Sequence, residues 1–217
     1  PVTVAGRTVL DVGASTGGFT EVCLARGAAR VFAVDVGHGQ LHPRLQADPR
    51  VANLQATDAR SLDRSLIPEA PGLVVCDASF IGLAKVLPAA LALAAPGADL
   101  IALVKPQFEV GPAKVGKGGV VKDEAARQGA LDDVSRFLQA AGWQVLGSVD
   151  SPVEGSDGNR EYLLHARAPG EAAYCGIKIS VQANVRTTEA WSKRLAQGLY
   201  LAFLSGAVTG LLVVGLA

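Results

Sequence analysis

The sequence predicts an α/β fold: a mostly parallel sheet closed by a terminal antiparallel hairpin, with an apolar helical appendage at the C-terminus. Three observations point there. Strand-like apolar runs alternate with helix-like segments from Arg7 to about Gly142, the pattern of a doubly wound sheet. Two further strand-like runs, 143–149 and 160–166, are joined only by a loop containing Ser151-Pro152 and Gly155 to Asn159; with no helix to carry a crossover they must pair antiparallel. Acidic residues also fall at the carboxyl ends of successive strands, the edge where open α/β sheets bind ligands.

The elements follow in chain order. A strand over 8–11 runs into the glycine-rich stretch Asp11 to Thr20, D-V-G-A-S-T-G-G-F-T, which leads into a helix over 18–26. Gly13, Gly17 and Gly18 carry no Cβ, so the backbone of that turn admits a ligand closely. Its spacing, G-x-x-x-G-G, departs from both the dinucleotide fingerprint and the P-loop. A strand over 31–35 ends in Asp35, where a second parallel strand presents a carboxylate to ribose hydroxyls. A short helix near 43–48, a strand over 51–54 followed by Asp58, and a strand over 73–77 ending in Asp77 come next. Helix 83–95 is stopped by Pro96-Gly97, and strand 99–104 and helix 123–141 complete the alternation. Asp11, Asp35, Asp58 and Asp77 together mark a nucleoside-type ligand site. A parallel sheet with this antiparallel closure is the Rossmann-like variant typical of S-adenosylmethionine (SAM) methyltransferases.

Composition narrows the class. The chain has 217 residues, enough for one ordinary domain and an appendage. Hydrophobic residues make up 49 % and the formal net charge is zero, so any contact with nucleic acid must be local. Cys23, Cys76 and Cys175 are odd in number and form no C-x-x-C, which argues against a disulfide framework, against a zinc site, and for a reducing, cytoplasmic setting. Residues 1–6 lack a secretory pattern. The absence of methionine leads us to expect a fragment.

From Ala172 the character changes. Gly198 to Ala217 carries no charge over 20 residues, and a helix of that length spans roughly 30 Å, about the thickness of a bilayer's hydrocarbon. Lys193 and Arg194 precede it as a cytoplasmic flank would, and Gly206 and Gly210 form a G-x-x-x-G packing face. We therefore expect two parts: a domain over 1–168, and an unrelated segment over 169–217 whose residues 198–217 insert into a membrane in their native context.

The first 167 positions resemble the TlyA family, FtsJ-like ribosomal-RNA 2′-O-methyltransferases also known as haemolysins. The resemblance rests on DVGASTGGFT at 11–20, AVDVGHGQL at 33–41, VCDASFIGL at 75–83, LVKPQFEVG at 103–111, VGKGGVVKD at 115–123 and GNREYLLHA at 158–166. It implies SAM as methyl donor. Gly13, Ser15, Gly17 and Gly18 would surround its methionine part, with Asp35 on the ribose and Asp58 near the adenine; Asp11 and Asp77 belong to the same donor site. Three members of the FtsJ-like Lys-Asp-Lys-Glu tetrad match here, Asp77, Lys105 and Glu161. Transfer of a methyl group from a sulfonium to a ribose hydroxyl is an in-line displacement, so alignment and loss of the hydroxyl proton are what the protein must supply. Lys105 would assist the proton loss, held by Asp77 and Glu161. The family's first tetrad lysine lies upstream of the glycine-rich turn, and the ten residues before Asp11 contain none. With the family's S4 RNA-binding domain also missing, we expect SAM binding to persist and transfer to be impaired.

Lys114, Lys117 and Lys122, in the glycine-rich loop 111–122, suit contacts to the phosphates of ribosomal RNA, the expected partner within the ribosomal subunit. Residues from about 172 to 217 resemble instead a piece of the membrane-integral ion-pumping pyrophosphatases, without their acidic pyrophosphate-binding motifs and with Leu204 where those proteins usually carry arginine. A join of two unrelated fragments explains both resemblances, and no pumping is expected. Two other readings stay open: a dinucleotide-binding oxidoreductase, which Asp35 alone would allow, and a non-catalytic RNA- or membrane-associated protein. No metal site is expected.

Overall fold

A computed structural model describes residues 2–116, 118–153, 155 and 158–170. The chain divides into two compact units, Pro1–Ala168 and Pro169–Ala217, and every element below lies in the first. Residues 198–217 lie outside the described residues. Among the described residues no helix is long and apolar enough to cross a membrane.

Seven strands form one sheet in the order β3-β2-β1-β4-β5-β7-β6. β1 (Thr8–Val12) sits between β2 (Arg30–Val34) and β4 (Leu73–Cys76), parallel to both. β3 (Val51–Leu54) extends one side and β5 (Asp99–Val104) the other, again in parallel. β7 (Tyr162–Arg167) then adds antiparallel to β5, and β6 (Gln144–Asp150) pairs antiparallel with β7 as the edge. The expected parallel sheet with its antiparallel closure is thus present. The chain reverses its direction of growth between β1 and β4, which opens a crevice beyond their carboxyl ends.

Alternation along β1 sets the two faces. Leu10 and Val12 join Phe32, Val74 and Leu100 under the helices α3 (Leu83–Val86), α4 (Pro88–Leu93) and α6 (Glu124–Ala140). Val9 points the other way, with Val31 and Val75, against Cys23 and Leu24 of α1 (Gly18–Ala25). Helices on both faces explain why β1 and β4 are buried over nearly all of their length and mainly apolar. At the opposite edge, buried Asp99 accepts hydrogen bonds from Arg7 Nη1 (2.7 Å) and Arg167 Nη2 (3.0 Å), joining the start of β5 to the approach to β1 and the end of β7.

Several boundaries differ from the sequence expectation. β1 continues through Val12, so Asp11 lies within the strand rather than at its end. The helix expected over 83–95 is two pieces, because Pro88 has no N–H to continue the first and starts the second. The helix near 43–48 is only α2 (Pro43–Gln46). A single-turn helix, α5 (Pro106–Glu109), follows β5 where no element was expected; Pro106 at its first position is the signal that could have disclosed it.

Candidate functional site

The glycine-rich turn folds back on the crevice through its own backbone. Gly13 and Ala14 N–H donate to Val34 O at 2.9 and 3.0 Å, and Ser15 N–H donates to Asp35 Oδ2 at 2.8 Å. Asp35 Oδ1 meanwhile accepts from Gly37 N–H at 2.7 Å. One carboxylate at the end of β2 therefore fixes the turn after β1 and the loop after β2, with lone pairs left over for a ligand.

Beyond these ends lies a cavity of about 470 Å³, lined by Gly13, Ser15, Asp35, Asp58, Asp77 and Phe80 among others. Asp58 sits at its margin, capping a short 3₁₀ turn (Ala59–Ser61). The hydrogen bonds from Arg60, side chain first and backbone second, hold its carboxyl down at about 2. Ile81 and Val86 supply an apolar wall.

The glycines are not equivalent. A Cβ on Gly13 would meet the carbonyl oxygen of Asp77 at 2.9 Å, and its φ of +80° is one that side-chain-bearing residues avoid. Gly17 turns away from the cavity, and a Cβ there would strike Leu45 Cδ1 at 2.2 Å. Gly18 has nothing within 4 Å. Gly17 and Gly18 line a separate hollow of about 260 Å³ with His42 and Arg44. Gly13→Ala should therefore destabilise the domain by about 1–3 kcal/mol from backbone strain alone and weaken ligand binding. Gly18→Ala should be neutral or stabilising by up to about 1 kcal/mol. Chemical denaturation of both variants checks this, and equal losses would contradict it.

Asp11 does not reach the cavity lining. It is fully buried on the α1 face of β1, where Thr20 Oγ1 donates to its Oδ2 at 2.6 Å and its Oδ1 has no partner. Desolvation pushes its carboxyl up to about 7, against the Thr20 hydrogen bond. Its place is beneath the turn.

A second cleft, about 510 Å³, opens on the other side of the Asp77–Phe80 segment, and Asp77, Ser79 and Phe80 line both spaces. Lys105, Gln107, Phe108 and Glu161 are among the other residues that line the cleft. The register between β5 and β7 brings its chemistry together: Val104 pairs with Tyr162, so Lys105 and Glu161, one step further out, face each other. Lys105 Nζ lies 2.6 Å from Asp77 Oδ1 and donates to Ser79 Oγ at 2.8 Å. The Asp77 contact is a close ion pair rather than an aligned hydrogen bond. Glu161 is buried and accepts from Gln107 Nε2 at 3.3 Å. Burial pushes its carboxyl up, partly offset by the charge of Lys105. Gly155 leaves room for it, since a Cβ there would meet Glu161 Oε1 at 2.6 Å.

Phe80 escaped the sequence reading. It is 90 % exposed, holds a φ of +64°, and stands 5.1 Å from the ring of Phe108. No propensity argument foretells such a conformation for an aromatic residue. The lysine loop is better anchored than its glycines suggest. Asn159 Nδ2 donates to Gly119 O at 2.9 Å, Asn159 Oδ1 accepts from Val121 N–H at 3.0 Å, and Arg127 Nη1 donates to Lys122 O at 2.9 Å. Val115 and Gly119 of this loop line the cleft and Lys122 is exposed. Lys117 and the Lys114 side chain lie outside the described residues. Cys23 and Cys76 are buried, their thiols pushed up by desolvation to about 11 and about 12, and no cluster of metal-ligating residues occurs among the described residues.

A seven-stranded sheet of this order, with a nucleoside-sized cavity at its switch point and a lysine-carboxylate cleft beside it, defines a methyltransferase of the Rossmann-like class. The chain belongs to the FtsJ-like methyltransferase family, whose model matches residues 2–168. It is 52 % identical over 172 residues to the 16S/23S rRNA (cytidine-2′-O)-methyltransferase TlyA of Mycobacterium tuberculosis, covering 79 % of this chain and 64 % of that protein. Hemolysin A of Brachyspira hyodysenteriae is 36 % identical over 165 residues, covering 76 % of this chain and 69 % of that protein. A solved Lactococcus lactis structure, described as a candidate hemolysin, superposes with a TM-score of 0.75 at 35 % identity, covering 78 % of this chain and 81 % of that one. The chain thus spans less than two thirds of the length of its mycobacterial relative. A second model, inorganic H+ pyrophosphatase, matches residues 159–217. The chain is also 50 % identical over 56 residues to a pyrophosphate-energized proton pump of Methanosarcina mazei, covering 26 % of this chain and 8 % of the pump.

The cofactor of the family, SAM, fits the residues present. Gly13 keeps the turn clear of side chains where a Cβ would close on Asp77, and Asp35 offers spare lone pairs to a diol. Ile81 and Val86 provide an apolar wall for a base.

Proposed function

We propose that this domain methylates a ribose 2′-hydroxyl of ribosomal RNA, with SAM in the cavity beside the glycine-rich turn and the acceptor nucleotide in the Lys105 cleft. The observation that carries the proposal is the shared wall. Asp77, Ser79 and Phe80 line both spaces, so a donor in one and an acceptor in the other meet at the Asp77–Lys105 pair. When bound, SAM supplies an electrophilic methyl on a sulfonium; the C–S bond breaks as the C–O bond forms, leaving S-adenosylhomocysteine and one proton. The protein's share is alignment and charge. Lys105, held by Asp77 and Ser79, has a further N–H to donate to the attacking oxygen, which stabilises the negative charge that grows as the hydroxyl loses its proton. The outer oxygen of Asp77 is the acceptor within reach for that proton. Buried Glu161 fixes the far side of the cleft. Phe80 offers a ring face on which the acceptor's base can stack.

Calorimetry with SAM and with NAD tests the donor half. SAM should bind and NAD should not; the reverse would replace this reading with a dinucleotide enzyme. Asp35→Ala should weaken SAM by roughly 1–3 kcal/mol, because it removes a charge-assisted ribose contact and also frees the Ser15 and Gly37 amides. The RNA half assigns Lys114, Lys117 and Lys122 to phosphates beside the cleft. Each lysine taken away from a phosphate should flatten the salt dependence of RNA affinity by about one unit of slope. A triple Lys→Ala variant with an unchanged slope would remove the loop from the interface. On this reading the domain works in the cytoplasm, with the ribosomal subunit as its partner.

A further inference from the structure

We infer that Glu109 is a positioning residue for methyl transfer: its carboxylate latches the Asp77–Phe80 wall between donor cavity and acceptor cleft to the segment that carries Lys105. The wall ends at Gly82, the N-cap of α3, and a glycine has no side chain to satisfy the first N–H groups of a helix. Leu83 N–H donates instead to Glu109 Oε1, at 2.8 Å and 26 residues away. Gly82 leaves room for that carboxylate: a Cβ there would stand 3.0 Å from Glu109 Oε2, so the carboxylate would have to give by a few tenths of an ångström. Burial pushes the Glu109 carboxyl up and the Leu83 hydrogen bond opposes it, so that bond offsets part of the cost of burying the carboxylate.

The latch has two further attachments. Glu109 ends the single turn α5 and Lys105 is its N-cap, so displacement of one end moves the other against Asp77. Phe80 and Phe108, from the same two segments, meet ring to ring at 5.1 Å. Phe80 holds a left-handed φ of +64°, a conformation that a bulky residue keeps only where its surroundings impose it. The Lys105–Asp77 pair at one end and the Glu109–Leu83 bond at the other clamp the strained segment between them.

This inference rests on the donor-cavity reading only for its consequence, not for the latch itself, and the test separates the two. Amide hydrogen exchange on the full chain, without ligand, should show roughly tenfold faster exchange across residues 77–83 in Glu109→Ala, the equivalent of one charge-assisted hydrogen bond removed. Glu109→Asp, one methylene too short, should behave likewise, and it keeps the charge should the alanine variant fail to fold. Glu109→Gln retains an oxygen for Leu83 N–H and should restore protection. Affinity for S-adenosylhomocysteine should follow the same order, lost with alanine and aspartate and recovered with glutamine. A wild-type chain that ignores S-adenosylhomocysteine would refute the donor reading and leave exchange to judge the latch. Unchanged exchange over 77–83 in both short variants, or an equal rise across β1 and β2, would overturn it.

Discussion

Lys105→Met should reduce methyl transfer by ~10²–10⁴-fold, the range over which a positioned proton-transfer partner acts, while leaving SAM affinity close to wild type. Lys105 lines the cleft proposed for the acceptor and is not among the residues lining the cavity proposed for SAM, so the two quantities separate. Methionine keeps the length and apolar stem of the side chain and deletes only the ammonium. What remains is the Asp77 carboxylate, its buried Oδ1 stripped of the charge 2.6 Å away, beside an acceptor oxygen that on the proposed reading must become more negative as the reaction proceeds. Repulsion then replaces stabilisation at the point where the barrier is set. Lys105→Arg should not rescue transfer, since a planar guanidinium cannot donate to Ser79, keep its charge against Asp77 and donate to the acceptor from the same position. Single-turnover transfer from tritiated SAM to ribosomal subunits, with calorimetry alongside, measures both arms. Equal losses in affinity and rate would show that Lys105 supports the fold rather than the chemistry.

Much of this site was legible because a parallel sheet repeats one rule. Each strand ends at the same edge, so Asp35, Asp58 and Asp77 could be placed beside one another from apolar runs alone, and they do line one cavity. The rule misplaced Asp11 because β1 runs through Val12, so Asp11 is not the strand's last residue, and alternation puts it on the same face as Val9, against α1, where it is buried. It also grouped Gly13, Gly17 and Gly18, which the turn then separates, since positive φ at Gly13 and Gly17 sends consecutive parts of the backbone to opposite sides. The approach of Lys105 to Glu161 was available only by resemblance. Their meeting depends on the antiparallel register of β5 with β7, which is fixed by long-range pairing and not by either segment's own composition. Phe80 and Glu109 were invisible for a related reason: a strained φ and a cap supplied from 26 residues away are properties of contacts.

The two family matches overlap at residues 159–168, and the sheet shows which of them that stretch serves. β7 occupies 162–167 and pairs along its length with β5, while Ala168 N–H donates to Ala98 O at 2.8 Å. Removing it would strip β5 of its antiparallel neighbour and leave Lys105 without Glu161. The methyltransferase unit therefore needs the chain through Ala168, whatever follows.

Asp11→Asn should flatten the pH dependence of stability between about pH 4 and pH 7. In the folded domain this carboxyl is pushed up to about 7, chiefly by burial, from an ordinary value of 3.8. A raised folded-state value means the folded chain holds a proton that the unfolded chain has released, so the contribution favours folding below 3.8 and is lost as pH rises through 7. At roughly 1.4 kcal/mol per unit, the wild type should lose on the order of 4 kcal/mol across that window from this group alone. Asparagine cannot ionise. Its oxygen can still accept from Thr20, but its amide nitrogen would sit where Asp11 Oδ1 has no partner, a fixed cost of about 1–3 kcal/mol. That cost is the same at every pH, so the slope is the informative quantity and the offset is not. Asp48, Asp58 and Asp63, whose carboxyls are lowered by their hydrogen bonds, impose slopes of the opposite sign near pH 4 and below, but they are common to both proteins and cancel in the difference. Urea denaturation at intervals from pH 4 to pH 8 gives that difference directly. It should be most favourable to wild type at pH 4 and shift steadily toward Asp11→Asn as pH rises. A difference that stays constant with pH would mean that Asp11 is ionised in the folded domain, with a counter-charge or water at Oδ1.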